Sequence, residues 1–317
     1  MRRPEGGGPH MTVLLADMGG TASRLALLRG DGGLQCAVRW RNDNYAGPGP
    51  LLARYLRDCG APPLRAACIA VAGPVAPGAV RWTNRDWAFE RGEMAALLRL
   101  PGAAALRVVN DLTALALALP GLGAAQLETL RAPVPEASGN GQALVANCGT
   151  GFNVGLVRAT PAGPVAWEAE LGHAALPVTV AAELGAMAGA FASIEALFSG
   201  AGLARLHASR HGGEHTAQQL VEAAGTDPAA RGSVAQMARS MGLLARELVA
   251  AYLPRDGVFW AGSMARGVLG TDARADFLGA LAAPGPLAQT RAAIPVAVIT
   301  DDAAALGGLA ALAAALP

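Results

Sequence analysis

Val13-Leu-Leu-Ala-Asp-Met-Gly-Gly-Thr-Ala-Ser-Arg-Leu-Ala-Leu-Leu28 is an apolar run that ends in an aspartate, turns through two glycines and a threonine, and returns as a second apolar run. The pattern predicts a tight β-hairpin with a polar tip. Glycines at such a tip bring bare backbone N–H groups to the surface, where they can cradle phosphate. Asp17 stands where it could hold a magnesium ion or its water shell. The same residues also suit an ordinary hairpin with a glycine turn, so the rest of the chain has to decide between the two.

An absence narrows the chemistry. Among 317 residues there is no lysine; apart from histidine, every basic side chain is arginine. A P-loop and a protein kinase each require a lysine on the nucleotide phosphates, and Schiff-base catalysis requires a lysine amine. If this chain handles a nucleotide, it does so with backbone amides, hydroxyls and metal. The net charge is +1 without a basic block, so there is no electrostatic footprint for nucleic acid. No run of about 18 unbroken apolar residues occurs, which argues against a membrane span. The four cysteines, Cys36, Cys59, Cys68 and Cys148, lack metal-ligand spacing, and Cys68 reads as a small core residue. Residues 1–11 carry no apolar signal core and read as a disordered leader. A cytoplasmic protein is the expectation.

Working outward from the hairpin, Leu34–Arg39 reads as a third antiparallel strand and Leu51–Cys59 as a helix. Ala66–Val71 is a buried strand ending at Ala72-Gly-Pro-Val75; Arg91–Leu98 is a short helix; Leu106–Val109 is a strand ending at Asn110-Asp111; Leu112–Leu119 is an apolar helix. The pattern then restarts. Ala143–Ala146 runs into Asn147-Cys-Gly-Thr-Gly151 and returns as Phe152–Val157, with a third strand near Val165–Ala169. A period of about 130 residues implies a duplicated domain. Helices are expected at Val180–Phe191, Ala217–Ala224 and Ser233–Leu253, strands at Gly257–Ala261 and Val296–Ile299, and Asp301-Asp302 is expected to cap a terminal helix. Leu119–Ser138, rich in Pro and Gly, reads as a linker, and residues 208–215 as an exposed loop. The division expected is a leader over 1–11, a small N-terminal domain over 12–112 plus 300–317, and a large domain over 113–299.

Several side chains stand where chemistry is built. Asp111 ends a buried strand and opens a helix; it suits a general base for a hydroxyl, or a plain helix N-cap. Asn110 could orient a hydroxyl with its amide. Glu170-Leu-Gly-His173 places a carboxylate and an imidazole about one glycine turn, able to bracket vicinal hydroxyls. Glu195 sits in an otherwise apolar segment and needs a partner: a sugar hydroxyl, an arginine or a backbone N–H. His207, His211 and His215 recur every four residues. On one helix that spacing could bind zinc. Gly212-Gly213 interrupts it, so these are read as solvated loop histidines.

Taken together, Asp17-Met-Gly-Gly-Thr21 with Arg24, Cys68-Ile-Ala-Val-Ala-Gly-Pro74, Thr83-Asn84-Arg-Asp-Trp87-Ala-Phe89, Val109-Asn-Asp111, Gly149-Thr-Gly151, Glu170-Leu-Gly-His173, Glu195-Ala-Leu-Phe-Ser-Gly-Ala-Gly-Leu203 and Phe259-Trp-Ala-Gly262 resemble the bacterial ATP-dependent glucokinases. The resemblance runs in order from about Val13 to the C-terminus. It implies an α/β, two-domain actin-like (ribonuclease H-like) ATPase fold shared with hexokinases, each domain a mixed β-sheet flanked by helices, with the active-site cleft between domains. It implies transfer of the γ-phosphoryl of Mg-ATP to the 6-hydroxyl of glucose. Asp111 would be the base, and Asn110, Glu170, His173 and Glu195 would hold the other hydroxyls. Gly19, Gly20 and Thr21 would meet one side of the triphosphate and Gly149, Thr150 and Gly151 the other. Gly262 would lie near adenosine, and Asp17 near the magnesium. A homodimer is the family habit. The chain departs from the family pattern at Ala22, Asn147, Leu171 and Ser263. The alternatives are a kinase for another hexose or aminosugar, and a sugar sensor without catalysis.

Overall fold

The computed structural model describes residues 12–76, 78–83, 85–134 and 138–316. The expected leader and Asn84 lie outside them. In chain order the elements are β1 (Thr12–Met18), β2 (Ala22–Leu28), β3 (Leu34–Arg41), α1 (Pro48–Asp58), β4 (Leu64–Val71), β5 (Ala79–Arg81), β6 (Ala88–Glu90), α2 (Arg91–Leu97), β7 (Leu106–Asn110) and α3 (Asp111–Ala118). There follow β8 (Leu127–Arg131), β9 (Gln142–Cys148), β10 (Phe152–Thr160), β11 (Gly163–Trp167), α4 (Val178–Leu184), α5 (Ile194–Leu197), α6 (Gly200–His211), α7 (Ala217–Ala223) and α8 (Pro228–Tyr252). The chain closes with β12 (Gly257–Ala261), α9 (Ser263–Leu269), α10 (Arg274–Ala282), α11 (Ala288–Ala293), β13 (Val296–Ile299) and α12 (Ala304–Ala314).

Two compact units result. One takes the chain through Ala118 and resumes at Ala303; the other is Leu119–Asp302. The first is built on a sheet of order β3-β2-β1-β4-β7. β1 pairs antiparallel with β2 and parallel with β4, and β4 pairs parallel with β7. All seven residues of β1 are buried, because both faces of the sheet are covered. Leu14, Ala16 and Met18 pack with Leu51, Leu52 and Tyr55 on one side. Val13 and Leu15 pack with Leu306 and Leu309 of α12 on the other. α12 also lies against α3, where Gly308 is essential: a Cβ there would overlap the Ala114 carbonyl.

The second unit repeats the scheme on a sheet of order β11-β10-β9-β12-β13-β8. β9 pairs antiparallel with β10 and parallel with β12, as β1 does with β2 and β4. One face carries the long helix α8, whose Val234, Met237, Met241 and Leu248 enter the core with Trp260 and Phe277.

Several expectations need correction. Residues 119–138 are no mere linker: β8 pairs antiparallel with β13 as the edge of the second sheet. The helix expected over Val180–Phe191 stops at Leu184, because Gly185 takes φ +58 and a 3-10 turn follows. Residues 208–211 belong to α6, not to a loop. Asp301 and Asp302 do not cap α12, whose N-cap is Ala303. Instead Gln126 Nε2 donates to Asp301 (2.7 Å) and Arg266 Nη1 pairs with Asp302 (2.6 Å). The hairpin β5–β6 was not foreseen, its strands being three residues each. α3, which the sequence division cut after 112, stays whole in the first unit because it packs on α12.

Candidate active site

In the first unit the glycine turn joins β1 to β2, with Asp17 and Arg24 directly opposite in the antiparallel register. Arg24 Nη1 donates to Asp17 Oδ2 at 3.0 Å. Asp17 is 5% exposed. Burial raises its pKa above 3.8, and the Arg24 charge and hydrogen bond pull it back only in part. The carbonyls of the turn face protein donors. Trp82 Nε1 donates to Met18 O (2.8 Å), and Asn42 Nδ2 donates to Gly19 O (2.8 Å) and Gly20 O (3.3 Å). Arg85 Nη1 also donates to Gly20 O (3.0 Å), and the Asn42 N–H donates to Thr21 O (2.9 Å). Asn42 is wholly buried and accepts the Ser23 hydroxyl at 2.8 Å. Arg85 is held in turn by Asp43 (2.9 Å) and by the Trp87 ring, 4.6 Å from its centroid. The sequence reading missed Asn42, Arg85 and Trp82. Tying down carbonyls 18–21 fixes the conformation of the tip around Gly19, Gly20 and Thr21.

At the end of β7, Asn110 is braced from both sides. Its Nδ2 donates to Gly73 O (3.1 Å) and its Oδ1 accepts the Leu112 N–H (2.9 Å). The amide keeps one N–H and one lone pair for another group. Asp111 opens α3, half-buried, and its Oδ1 accepts the Leu112 N–H at 2.8 Å. Both capping and hydroxyl chemistry are therefore open to this carboxylate.

The second unit gathers the other candidates. In the β9–β10 turn, Gly149 N–H donates to Gly151 O (2.9 Å), and the Gly200 N–H of α6 donates to Gly149 O (2.8 Å). Thr150 is the exposed tip. Glu195 on α5 reaches this turn: its Oε2 accepts the Phe152 N–H at 3.0 Å and lies against Gly151, where a Cβ would require the carboxylate to move. The partner that Glu195 required is thus a backbone N–H. Glu170 and His173 are exposed. Asn153, also missed by the sequence reading, sets their loop: its Nδ2 donates to Ala169 O (2.6 Å) and Glu170 Oε2 (3.1 Å), and its Oδ1 accepts the Leu171 N–H (3.0 Å). Gly172 is buried against the Phe152 carbonyl, with Glu195 Cβ 3.4 Å from where its own Cβ would stand. The loop carrying Glu170 and His173, the carboxylate of Glu195 and the glycine turn therefore form one connected group. Gly262 borders it, at the end of β12 beside β9. Its φ is +91, and a Cβ there would overlap the Cys148 carbonyl.

His207, His211 and His215 are not solvated loop residues as a set: His207 is 3% exposed on α6. A pocket of about 540 Å³ lined by Glu183, Arg239 and Asp276 is set apart from these groups; Arg239 pairs with both acids at 2.9 Å. Among the described residues no helix is long and apolar enough to cross a membrane.

The Glucokinase family model matches residues 14–316. A glucokinase of Caulobacter sp. (strain K31) is 32% identical, over 94% of this chain and 93% of its own. Among solved structures, a glucokinase from an Antarctic psychrotroph is 26% identical with a TM-score of 0.81, covering 96% of this chain and 98% of that one. A ROK family glucokinase from Streptomyces griseus, crystallised with glucose and AMPPNP, shares the fold at 19% identity and a TM-score of 0.62, covering 95% and 98%. The fold is the two-domain actin-like one of these sugar kinases. A match that runs from the first glycine turn into the terminal helix, joined to a relative alike over nearly its whole length, makes the chain a member of the glucokinase family.

Proposed function

We propose that this protein transfers the γ-phosphoryl group of Mg-ATP to the 6-hydroxyl of glucose. The observation that carries the reading is the braced Asn110-Asp111 pair at the end of a core strand. A carboxylate held by rigid backbone suits the positioning on which phosphoryl transfer depends. Asp111 takes the hydroxyl proton as the sugar oxygen bonds to phosphorus and the bond from phosphorus to the leaving ADP oxygen breaks. Asn110, Glu170, His173 and Glu195 hold the remaining hydroxyls. Glu195 has already given one carboxylate oxygen to Phe152 N–H, and its remaining lone pairs serve the sugar. The Gly19-Gly20-Thr21 and Gly149-Thr150-Gly151 turns face the triphosphate; the Gly19 and Gly149 N–H groups close the turns themselves on Ala22 O and Gly151 O, so the N–H groups offered are those of Gly20, Thr21, Thr150 and Gly151, and Gly262 leaves room beside adenosine. That an enzyme of the same fold was captured with glucose and an ATP analogue supports this choice of substrates.

Magnesium fits the donor set. Asp17 is a buried carboxylate with raised proton affinity and one arginine partner, so a nearby cation would favour its charged form. A magnesium ion bound mainly by phosphate and water needs no more than one such carboxylate. When bound it supplies charge neutralisation on the transferring phosphate.

The test pairs a substrate panel with one substitution. Glucose, mannose and glucosamine are offered with ATP, ADP or polyphosphate, and product nucleotide or sugar phosphate is measured. Glucose with ATP is expected to be turned over fastest. Asp111→Ala should lose roughly 100- to 10,000-fold in kcat while calorimetry still records glucose binding. Unchanged turnover in Asp111→Ala removes it as the base, and preference for another hexose or donor moves the assignment to that substrate.

A further inference from the structure

Two asparagines face each other across the β9–β10 pairing, Asn147 opposite Asn153. Leu144, Ala146 and Cys148 of β9 enter the core of the second unit, so Asn147, between the last two, points to the other face of the sheet. The two amides are in opposite states. Asn153 is fully bonded: its Nδ2 donates to Ala169 O (2.6 Å) and Glu170 Oε2 (3.1 Å), and its Oδ1 accepts the N–H groups of Leu171 (3.0 Å) and Val154 (2.8 Å). Two N–H groups and two lone pairs are all that an amide has. Asn147 is only half-buried, and its side chain makes no hydrogen bond among the described residues. Its place is set by the backbone. β9 also pairs with β12, where Asn147 stands opposite Ala261, and the next residue along β12 is Gly262. Asn147 Oδ1 lies 2.8 Å from where a Cβ on Gly262 would stand, so the amide borders the space that the missing side chain leaves. The hydroxyl of Ser263, the residue after Gly262, is exposed and lies 3.9 Å from where a Cβ on Gly149 would stand. It too makes no hydrogen bond among the described residues. An open amide and an open hydroxyl thus lie beside the second glycine turn and Gly262, at two of the positions where this chain departs from the glucokinase pattern.

We propose that Asn147 and Ser263 bind the phosphoryl donor, their amide and hydroxyl hydrogen-bonding the phosphate chain at its nucleoside end. The proposal rests on the reading that the Gly149-Thr150-Gly151 turn takes phosphate and that Gly262 lies beside adenosine; these two side chains stand where those parts of the nucleotide meet. A chain without lysine leaves more of the work of holding a polyanion to neutral donors, and each residue supplies one: the amide N–H and the hydroxyl O–H. The sugar-side carboxylate Glu170 belongs to the neighbouring strand β10, through Asn153, and Asn153 has no bonding capacity left for a nucleotide. The departures at Asn147 and Ser263 therefore add contacts to the donor rather than remove them.

Binding of AMPPNP is measured by calorimetry, and KM values are taken for ATP and for glucose. Asn147→Ala is expected to weaken AMPPNP binding and to raise the KM for ATP roughly 10- to 100-fold. The KM for glucose and the urea midpoint should not change, because the amide holds no other part of the described fold. Ser263→Ala should raise the KM for ATP by less, roughly 3- to 10-fold. Asn147→Asp keeps the size of the side chain, loses the N–H donors and sets a negative charge against phosphate, so it should bind AMPPNP more weakly than Asn147→Ala does. Wild-type affinity for AMPPNP in Asn147→Ala, or a loss that falls on glucose instead, overturns the proposal. Asn147→Asp binding AMPPNP as well as Asn147→Ala overturns the phosphate contact, and an unchanged KM for ATP in Ser263→Ala overturns the part given to Ser263. A wild type that neither binds AMPPNP nor uses ATP overturns the nucleotide reading together with this proposal; a wild type that does both, with unaltered variants, overturns this proposal alone.

Discussion

Asn42 shows how much a single amide can organise. Its side chain meets Gly19 O, Gly20 O and Ser23, and its backbone N–H meets Thr21 O. Removing it strands several of these groups in a buried setting, which costs more than the bonds themselves are worth. Asn42→Ala is therefore expected to lower stability by about 2–4 kcal/mol in urea unfolding and to raise the KM for ATP more than that for sugar. A loss under about 0.5 kcal/mol with both KM values unchanged counts against its role. No reading of the sequence finds Asn42: it lies 22 residues beyond Gly20 in an irregular turn, with no periodicity to mark it. Asn153 escaped notice for a related reason, since it sits inside a strand and reads as one alternating polar position. Asp17 and Asp111 were legible because each breaks an apolar run at its end. Glu195 was legible as a carboxylate in apolar company, and its partner is of a kind foreseen.

At the level of elements, the two sheets were readable wherever apolar strands alternate with glycine turns. β1, β2, β4, β7, β9, β10, β12 and β13 all overlap strands named from the sequence alone. The failures have physical causes. β8 has mixed burial and only one strand neighbour, so it lacks the apolar signature of a central strand. β5 and β6 are too short to carry a period. α4 ends where one glycine takes a left-handed turn. The junction of β12 with α9 turns on Gly262, which combines a positive φ with close approach to the Cys148 carbonyl. Gly262→Ala is accordingly expected to cost about 2–3 kcal/mol, seen as a lower urea midpoint with an unchanged slope. An unchanged midpoint means the backbone there relaxes freely.

For the molecule as a whole, one unit is continuous in sequence and the other is not. The second has its core within Leu119–Asp302. The first needs α12, whose Leu306, Leu309 and Ala313 cover Val13, Leu15, Ala66 and Cys68. A fully buried leucine contributes about 1.5–3 kcal/mol, and cutting the chain after Asp302 also uncovers the sheet face beneath. Hydrogen exchange of that truncated chain is expected to show fast exchange through β1, β2 and β4 while β9, β10 and β12 stay protected. Protection of β1 without α12 contradicts this. The same docking has a consequence during synthesis. β1 lacks its covering helix α12 until nearly 300 codons later, a wait of roughly 15–60 s at about 5–20 residues per second. Throughout that interval the middle of the polypeptide can settle into its own globule while the opening strands remain sticky, which makes them the natural target of a chaperone that binds nascent apolar segments.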